Sequence, residues 1–588
     1  MNRQTILNKP KNTKSALKRT LSYIAEYKAV VIILLILCLA ANVFALIGPS
    51  LAGSAISEAE AGAGLVNFDK VLYYAKWMLI CYLVSSLMII VINIMMMHIS
   101  KRVAKKMRAD TFAKLTRLPV GYFDRSQTGD IISRVFYDVD VVSTCIATNL
   151  TSILTNVITI IGSFVMMAWI SPILVIVVVA AIPVSVIFTA RMRKKTQPRY
   201  IARSKKYGAL NGFVEELLSG QKTIQAYAYT KKAKQKFAAV NDEAAEGYYD
   251  AEHYGVSISP TINFVSNASL ALIALFGALL YMFGMVSLGQ ISSFILYSRK
   301  FSGPVDEISS VINELFSALA AAERVFQLLD EPEEQPDGAD AVPLADVKGD
   351  VELANVNFGY VPEKTVLHDL SFRAQPGKMV AIVGATGAGK TTIINLLMRF
   401  YDVSGGSIYV DGRDIREYTR ESLRKAYVMV LQDTWVFRGT IFENIAYGKE
   451  DATMDEVVNA AKAAHIHSFI MQLPKGYQTV ISEDGGNISK GQKQLLTIAR
   501  AMLYDAKILI LDEATSNVDT GTERLVQNAM RDLMRDKTCF VIAHRLSTIE
   551  HADHILVLDH GDVVEQGTHG ELMNLGGAYH RLYSAQFQ

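Results

Sequence analysis

The chain has 588 residues, more than one hydrophobic core holds, since single cores stop growing at about 250–300 residues. Hydrophobic residues make up 51% and mean hydropathy is +0.22, with the excess lying almost wholly before residue 320. A net charge of +2, with no basic cluster beyond the flanks of apolar segments, speaks against a nucleic-acid-binding domain; four scattered cysteines, Cys38, Cys81, Cys145 and Cys539, speak against a disulfide framework or a thiolate metal site.

The N-terminus is polar and basic up to Lys28 and lacks the short apolar core and cleavage site of a signal peptide. Crossing the hydrocarbon core of a bilayer takes about 20 apolar residues. Ala29 to Ser57 carries no charge and supplies a first span; Trp77 to Met97 supplies a second. Val141 to Ala190 is uncharged throughout and too long for one span, so Ser171-Pro172 is read as the turn between a third and a fourth. Gly255 to Ser298 is likewise uncharged, with a break at Gly284–Gly289 between a fifth span and a sixth that continues past Arg299. Lys and Arg cluster before span one, between two and three, and between four and five, while the turns at Pro172 and Gly284 carry no charge. The positive-inside rule then puts both termini in the cytoplasm. The two long inner connections have helical composition, each with a turn able to touch another domain: Leu118 to Asp124 in the first, Tyr227 to Thr230 in the second.

Arg299 and Lys300 lie about ten residues into the sixth span, where a charge needs a water-filled cavity or a partner. They are candidates for a substrate cavity, with Asp306 and Glu307 seven residues on as alternative partners. The sixth helix has to stop near Glu331-Pro332, where the chain turns acidic and proline-bearing. The expected division is a cytoplasmic segment at 1–28, an all-α six-helix membrane domain with helical extensions at 29–325, a linker at 326–349 and an α/β phosphate-loop domain at 350–588.

In the last part, MVAIV at 379–383 reads as a buried strand. GATGAGKT at 384–391 follows, then an apolar helix, which is the context a phosphate loop requires. Gly384, Thr386, Gly387, Ala388, Gly389, Lys390, Thr391 and Thr392 are the candidate ATP contacts. Lys390 reaches the β- and γ-phosphates, Thr391 holds Mg²⁺, and the helix N-terminus adds its positive dipole end. KILILD at 507–512 is a second strand, ending at Asp512, a second Mg²⁺ ligand; Glu513 is placed to polarise the attacking water. CFVIAH at 539–544 is a third, with His544 at its end facing a γ-phosphate. In NISKGQKQLLTIARAML at 487–503, Ser489 can cap a helix whose free N–H groups face an anion. With one phosphate site already complete at Lys390, a second such helix end implies two domains that face each other and share their sites.

Those four segments, GATGAGKT, ISKGQ with QLLTIARA, LILDEATSNVD and HRLST, in this order and spacing, resemble the ATP-binding cassette (ABC) exporters over essentially the whole chain. The resemblance implies the type IV exporter fold, an ATPase coupled to export, and one half of a dimer set in the plasma membrane. It implies that Tyr360 stacks on adenine and that Gln432 is the sensor glutamine near Mg²⁺. Asp519 would lie in the loop crossing the dimer interface, and Ser482 to Gly485 in an acidic segment facing the membrane domain's turns. One departure stands out. The family signature reads Leu-Ser-Gly-Gly-Gln, and here it is Ile488-Ser489-Lys490-Gly491-Gln492. Ser489, Lys490, Gly491 and Gln492 would be donated to a partner's site, and lysine replaces the glycine that permits close approach to ATP. The expected partner is therefore a second, different half-transporter. A homodimer tolerating the lysine is the alternative. The expected cargo is a small amphipathic molecule such as a drug, lipid or peptide; lipid flipping, exporter-fold import and an ATP-gated channel or regulator stay open.

Overall fold

The structure is a computed structural model and describes residues 12–60, 66–431, 434–482, 486–512, 520–542 and 549–585. It divides into two compact units, one of Met1–Leu118 with Ser126–Pro332, the other of Pro119–Arg125 with Glu333–Gln588.

The first unit is helical. Helix α1 (Thr13–Ala25) precedes α2 (Lys28–Ala59), whose 32 residues span about 48 Å at 1.5 Å per residue. Helix α3 (Phe68–Leu115) runs up to the turn that carries α4 (Val120–Arg125), a member of the second unit. Residues 128–170 form one interrupted helix. Its parts α5 (Thr128–Ser133), α6 (Val139–Thr144) and α7 (Leu150–Ile170) are joined by π-helical turns at Arg134–Asp138 and Cys145–Asn149, which periodicity does not reveal. The break before α8 (Pro172–Ser219) falls where the sequence places it. Ser171 is extended and accepts a hydrogen bond from the Leu174 N–H, and Pro172 opens the helix, where its missing N–H costs nothing. A short α9 (Gln221–Ala226) leads to α10 (Thr230–Val256) and α11 (Ile258–Met282). Gly284, at φ +69°, turns the chain, and a Ser287–Gln290 capping box starts α12 (Leu288–Asp330). Helix α12 continues through 326–330, residues the sequence assigns to the linker, because Phe326 and Leu328 are buried with Val325 against the unit's core.

Among the described residues, four helical stretches are long and apolar enough to cross a membrane: Lys28–Ala59, Phe68–Leu115, Thr128–Ile170 and Asn263–Met282. Their outward side chains include Ile36, Leu39, Leu87 and Trp169, each more than half exposed. Apolar surface on that scale is stable only against lipid or another protein. The four cysteines are free and buried, behaving as small apolar side chains.

The second unit is α/β. A six-stranded sheet has the order β12-β11-β3-β10-β9-β6. Its strands are β3 (Met379–Gly384), β6 (Tyr427–Val430), β9 (Ile508–Asp512), β10 (Thr538–Ile542), β11 (His554–Asp559) and β12 (Asp562–Gly567). All neighbours pair in parallel except β11 with β12. The central strands are continuous apolar runs because both faces are covered; Ile508, Leu509 and Ile510 are fully buried. An antiparallel sheet β2-β1-β4-β5 joins β1 (Val351–Phe358), β2 (Leu367–Ala374), β4 (Gly405–Val410) and β5 (Arg413–Asp414). A two-stranded ribbon pairs β7 (Gly439–Thr440) with β8 (Val480–Ile481). The helices that matter for the site are α13 (Lys390–Leu397), then the short α14 (Arg420–Lys425), α15 (Ile441–Ala446), α16 (Met454–Ala463) and α17 (His467–Gln472), and finally α18 (Lys490–Tyr504) and α19 (Thr520–Met534).

The stretch after α12 is laid on this unit by charge. Arg420, nearly buried, donates to the Gln335 carbonyl (2.6 Å) and to Asp337 and Asp402, while Arg424 holds Glu334 in a two-pronged pair. Residues 334–337 of the region read as linker are therefore held by ion pairs and hydrogen bonds, while Leu344 and Val347 further on pack against the unit's core.

Candidate phosphate-binding site

Sheet register sets the site. Ile542 of β10 pairs with Ile382 of β3 on one side and Asp512 of β9 on the other, so the carboxyl ends of the three strands reach one rim. In open α/β sheets that rim is where ligands bind.

The loop between β3 and α13 leaves the rim through left-handed glycines. Gly387 has φ +85° and Gly389 φ +105°, conformations that cost a side-chain-bearing residue steric strain. At Gly389 a Cβ would also lie 2.8 Å from Leu367 Cδ2. Ala388 is buried, and Thr391 is exposed at the start of α13. Lys390 is nearly buried; its Nζ donates to the carbonyls of Gly384 (2.7 Å) and Ala385 (2.9 Å). Two of the ammonium's three N–H groups thus fix the side chain across the loop and the third remains for an anion. Burial lowers the Lys390 pKa, and the Asp512 carboxylate works against that shift, which places Asp512 within electrostatic reach of the loop.

Tyr360 stands beside the loop, 43% exposed. Its ring meets Phe358 and Tyr401 edge-on at 5.0 and 5.1 Å, its hydroxyl lies 3.1 Å from Thr392 Oγ1, and Asn395 Nδ2 donates to it. Thr392, an ATP contact in the sequence reading, is therefore buried and engaged with the aromatic. Asn395 and Tyr401 were missed by sequence reasoning, since neither lies in a motif.

The signature segment is built as a helix start. Ser489 is the N-cap of α18: its Oγ accepts from the Gln492 N–H (3.2 Å), and its own N–H donates to the Gln492 side chain (2.8 Å). Lys490 takes the first helical position. Both Ser489 and Lys490 are exposed, while Gly491 is buried. Asn487, also missed, braces the approach by accepting from Ser482 N and Oγ and donating to the Val480 carbonyl. Gln432, Glu513, Asp519 and His544 lie outside the described residues, as do residues 483–485 of the acidic segment.

In the helical unit Arg299 and Lys300 diverge. Arg299 is exposed; Lys300 is half-buried, and its ammonium donates to the Ala45 carbonyl of α2 at 2.9 Å. Asp306 lies where its side chain is not described.

Residues 31–305 match the family model for the ABC transporter transmembrane region, and residues 367–516 match that for the ABC transporter proper. The chain is 43% identical over 520 residues to the fatty acid ABC transporter ATP-binding/permease protein of Mycobacterium tuberculosis, covering 88% of this chain and 82% of that one. It is 41% identical over 580 residues to the uncharacterized ABC transporter ATP-binding protein YfiC of Bacillus subtilis, covering 99% and 96%. Among solved structures, a bacterial Atm1-family ABC exporter with ATP bound superposes with a TM-score of 0.76 at 28% identity, covering 97% of this chain and 99% of that one.

Proposed function

The chain belongs to the ATP-binding cassette exporter family, and we propose that it is the catalytically complete half of a heterodimeric exporter of amphipathic molecules. It is an ATPase coupled to transmembrane movement, with the type IV exporter architecture of a helical membrane domain followed by the cassette.

In this reading the Lys390 ammonium, already fixed across the loop, gives its remaining N–H to the β- and γ-phosphates. The turned amides around Gly387 and Gly389 meet the same oxygens. Tyr360 offers its ring to adenine. The Thr391 hydroxyl and the Asp512 carboxylate are hard oxygen donors of the kind Mg²⁺ selects, and Asp512 lies within electrostatic reach of the loop. Bound there, Mg²⁺ would neutralise phosphate charge, with Gln432 as a third oxygen. Glu513 orients and polarises the attacking water and His544 steadies the γ-phosphate. Asp519 meets the partner cassette.

The observation that carries the heterodimer is Lys490. It opens α18 beside Ser489, at an exposed helix start where a donated signature has to approach the partner's nucleotide closely. A long cation in place of glycine weakens the site this chain completes for its partner. Its own phosphate loop keeps every expected residue type, so one site hydrolyses and the other holds ATP. The exposed turn at Tyr227, 80% accessible, is a surface that a second chain would cover.

The cassette and both termini are cytoplasmic in this reading, supported by the basic residues flanking the apolar runs, and the membrane is the plasma membrane. The cargo class rests on the apolar character of the membrane unit and on a relative named for fatty acids. The test is the chain purified alone and reconstituted in liposomes. It is expected to hydrolyse ATP slowly and to gain activity when a second half-transporter with an intact signature is added. Full ATPase and transport from the single chain would overturn the heterodimer.

A further inference from the structure

Pro49 lies inside α2. Proline has no N–H, so the carbonyl four residues back, Ala45, loses its helical donor, and the ring crowds the turn that holds the next carbonyl, Leu46. In water such carbonyls are solvated; in a bilayer they need protein donors.

Helix α12 provides them. Lys300 Nζ donates to the Ala45 carbonyl at 2.9 Å, Tyr297 Oη to the Leu46 carbonyl at 2.5 Å, and Ser293 Oγ to the Pro49 carbonyl at 2.8 Å. The spacing 293, 297, 300 is one face of a helix. Tyr297 is fully buried and Ser293 nearly so. Above these bonds the backbones touch: a Cβ on Gly289 would lie 2.0 Å from the Gly53 carbonyl oxygen, and one on Gly53 2.5 Å from that of Gly289. Ser57 and Ser287 hydroxyls lie 3.3 Å apart beyond the crossing. On the far side the Lys300 ammonium sits 5.7 Å from the Tyr82 ring of α3, and that ring also packs against Gly48. The lysine is held among three helices, with its charge directed at the proline break.

We propose that Lys300, seconded by Tyr297, is a positioning residue for transport that replaces the hydrogen bond Pro49 removes from the first membrane helix. The replacement comes from another helix, so the outer half of α2 is tied to α12 and the two move as one body. The chain of α12 runs on at Glu333 into the main part of the cassette unit, so the tie gives α2 a share in that helix's motion. Lys300 is thereby taken out of the candidate substrate cavity, and Arg299 alone stays in it.

The arrangement makes an unusual prediction: restoring the missing N–H should make the lysine dispensable. The full-length transporter in nanodiscs is compared as parent, Lys300→Met, Lys300→Arg, and Pro49→Ala combined with Lys300→Met. Amide exchange is followed by mass spectrometry in a peptide covering 42–53, with basal ATPase measured in parallel. Losing one charge-assisted hydrogen bond should speed exchange in that peptide by about ten- to a hundredfold in Lys300→Met. Lys300→Arg should stay near the parent. The double variant should recover both the slow exchange and the ATPase rate. Should Lys300→Met not assemble, the double variant is compared with Pro49→Ala alone: equal exchange in the two is expected, and faster exchange in the double variant overturns the proposal. Unchanged exchange in the single variant, or a double variant no better than the single, overturns the proposal. So does a change in transport preference between cationic and anionic dyes at unchanged exchange, which would return Lys300 to the cavity wall.

Discussion

The Tyr401 hydroxyl donates a 2.5 Å hydrogen bond to the Asp124 carboxylate, joining residues 277 positions apart in sequence. The same ring closes over Gly121, where a Cβ would lie 2.9 Å from it, so the turn bearing α4 seats a glycine against an aromatic edge. Burial, and after it the Asp124 carboxylate, raise the Tyr401 pKa, so the phenol stays protonated at any physiological pH. Tyr401 also meets Tyr360 edge-on, one step from the phosphate loop.

This bond should therefore matter more for coupling than for hydrolysis. Tyr401→Phe keeps the ring and removes the donor. ATPase of the reconstituted protein is expected within about threefold of the parent, while ATP-driven dye accumulation in inverted vesicles falls by about tenfold, the scale of one hydrogen bond to a charged group. Equal loss of both activities would mean that the bond only supports the cassette.

Glu513→Gln should leave ATP binding nearly intact and cut turnover by about 10²–10⁴, the usual cost of removing a group that orients or deprotonates water. Nucleotide binding measured by fluorescence beside steady-state phosphate release separates the two steps. Hydrolysis within a few-fold of the parent would remove Glu513 from the mechanism.

If Lys490 is what weakens the donated signature, Lys490→Gly should let the chain pair productively with itself. ATPase of the variant purified alone is expected to rise at least about tenfold over the parent, as glycine restores close approach without altering the Ser489–Gln492 cap. No rise, with dimers present by light scattering, would place the asymmetry elsewhere.

Cys539 is fully buried on β10, and desolvation pushes its thiol up to about 12. Lys537 pulls the pKa down and Asp553 raises it, but burial dominates. A thiol whose folded pKa is raised contributes stability that is complete below its unfolded pKa, about 8.5, and is lost as pH rises from there towards 12. The cassette should thus lose stability above about pH 8.5. Cys539→Ser should not abolish folding but should flatten that alkaline slope, read as urea midpoints between pH 8 and pH 10. At neutral pH maleimide should label Cys539 only after unfolding.

The sequence alone determined the class of molecule. Apolar runs longer than one span, broken at Pro172 and Gly284, announce membrane helices because a bilayer sets a length and forbids charge. The phosphate loop, the strand ending at Asp512 and the capped signature helix are legible because their chemistry is local: backbone conformation, one cap and one strand end each fit in a few residues. Tertiary structure alone decided who meets whom. Nothing near Lys300 in sequence says that its partner is a carbonyl 255 residues away, because the need for that donor arises from Pro49 on another helix. For the same reason Asn395 and Tyr401 carry no motif, and the Leu118 to Asp124 turn, legible as a turn, does not show that Asp124 meets Tyr401: those roles come from packing at long sequence separation. The π-helical turns before α7 and the run of α12 to Asp330 escaped for a related cause. Helix boundaries are set by what buries Asp138 under Arg324 and Leu328 in the core, and those neighbours exist only once the chain has folded.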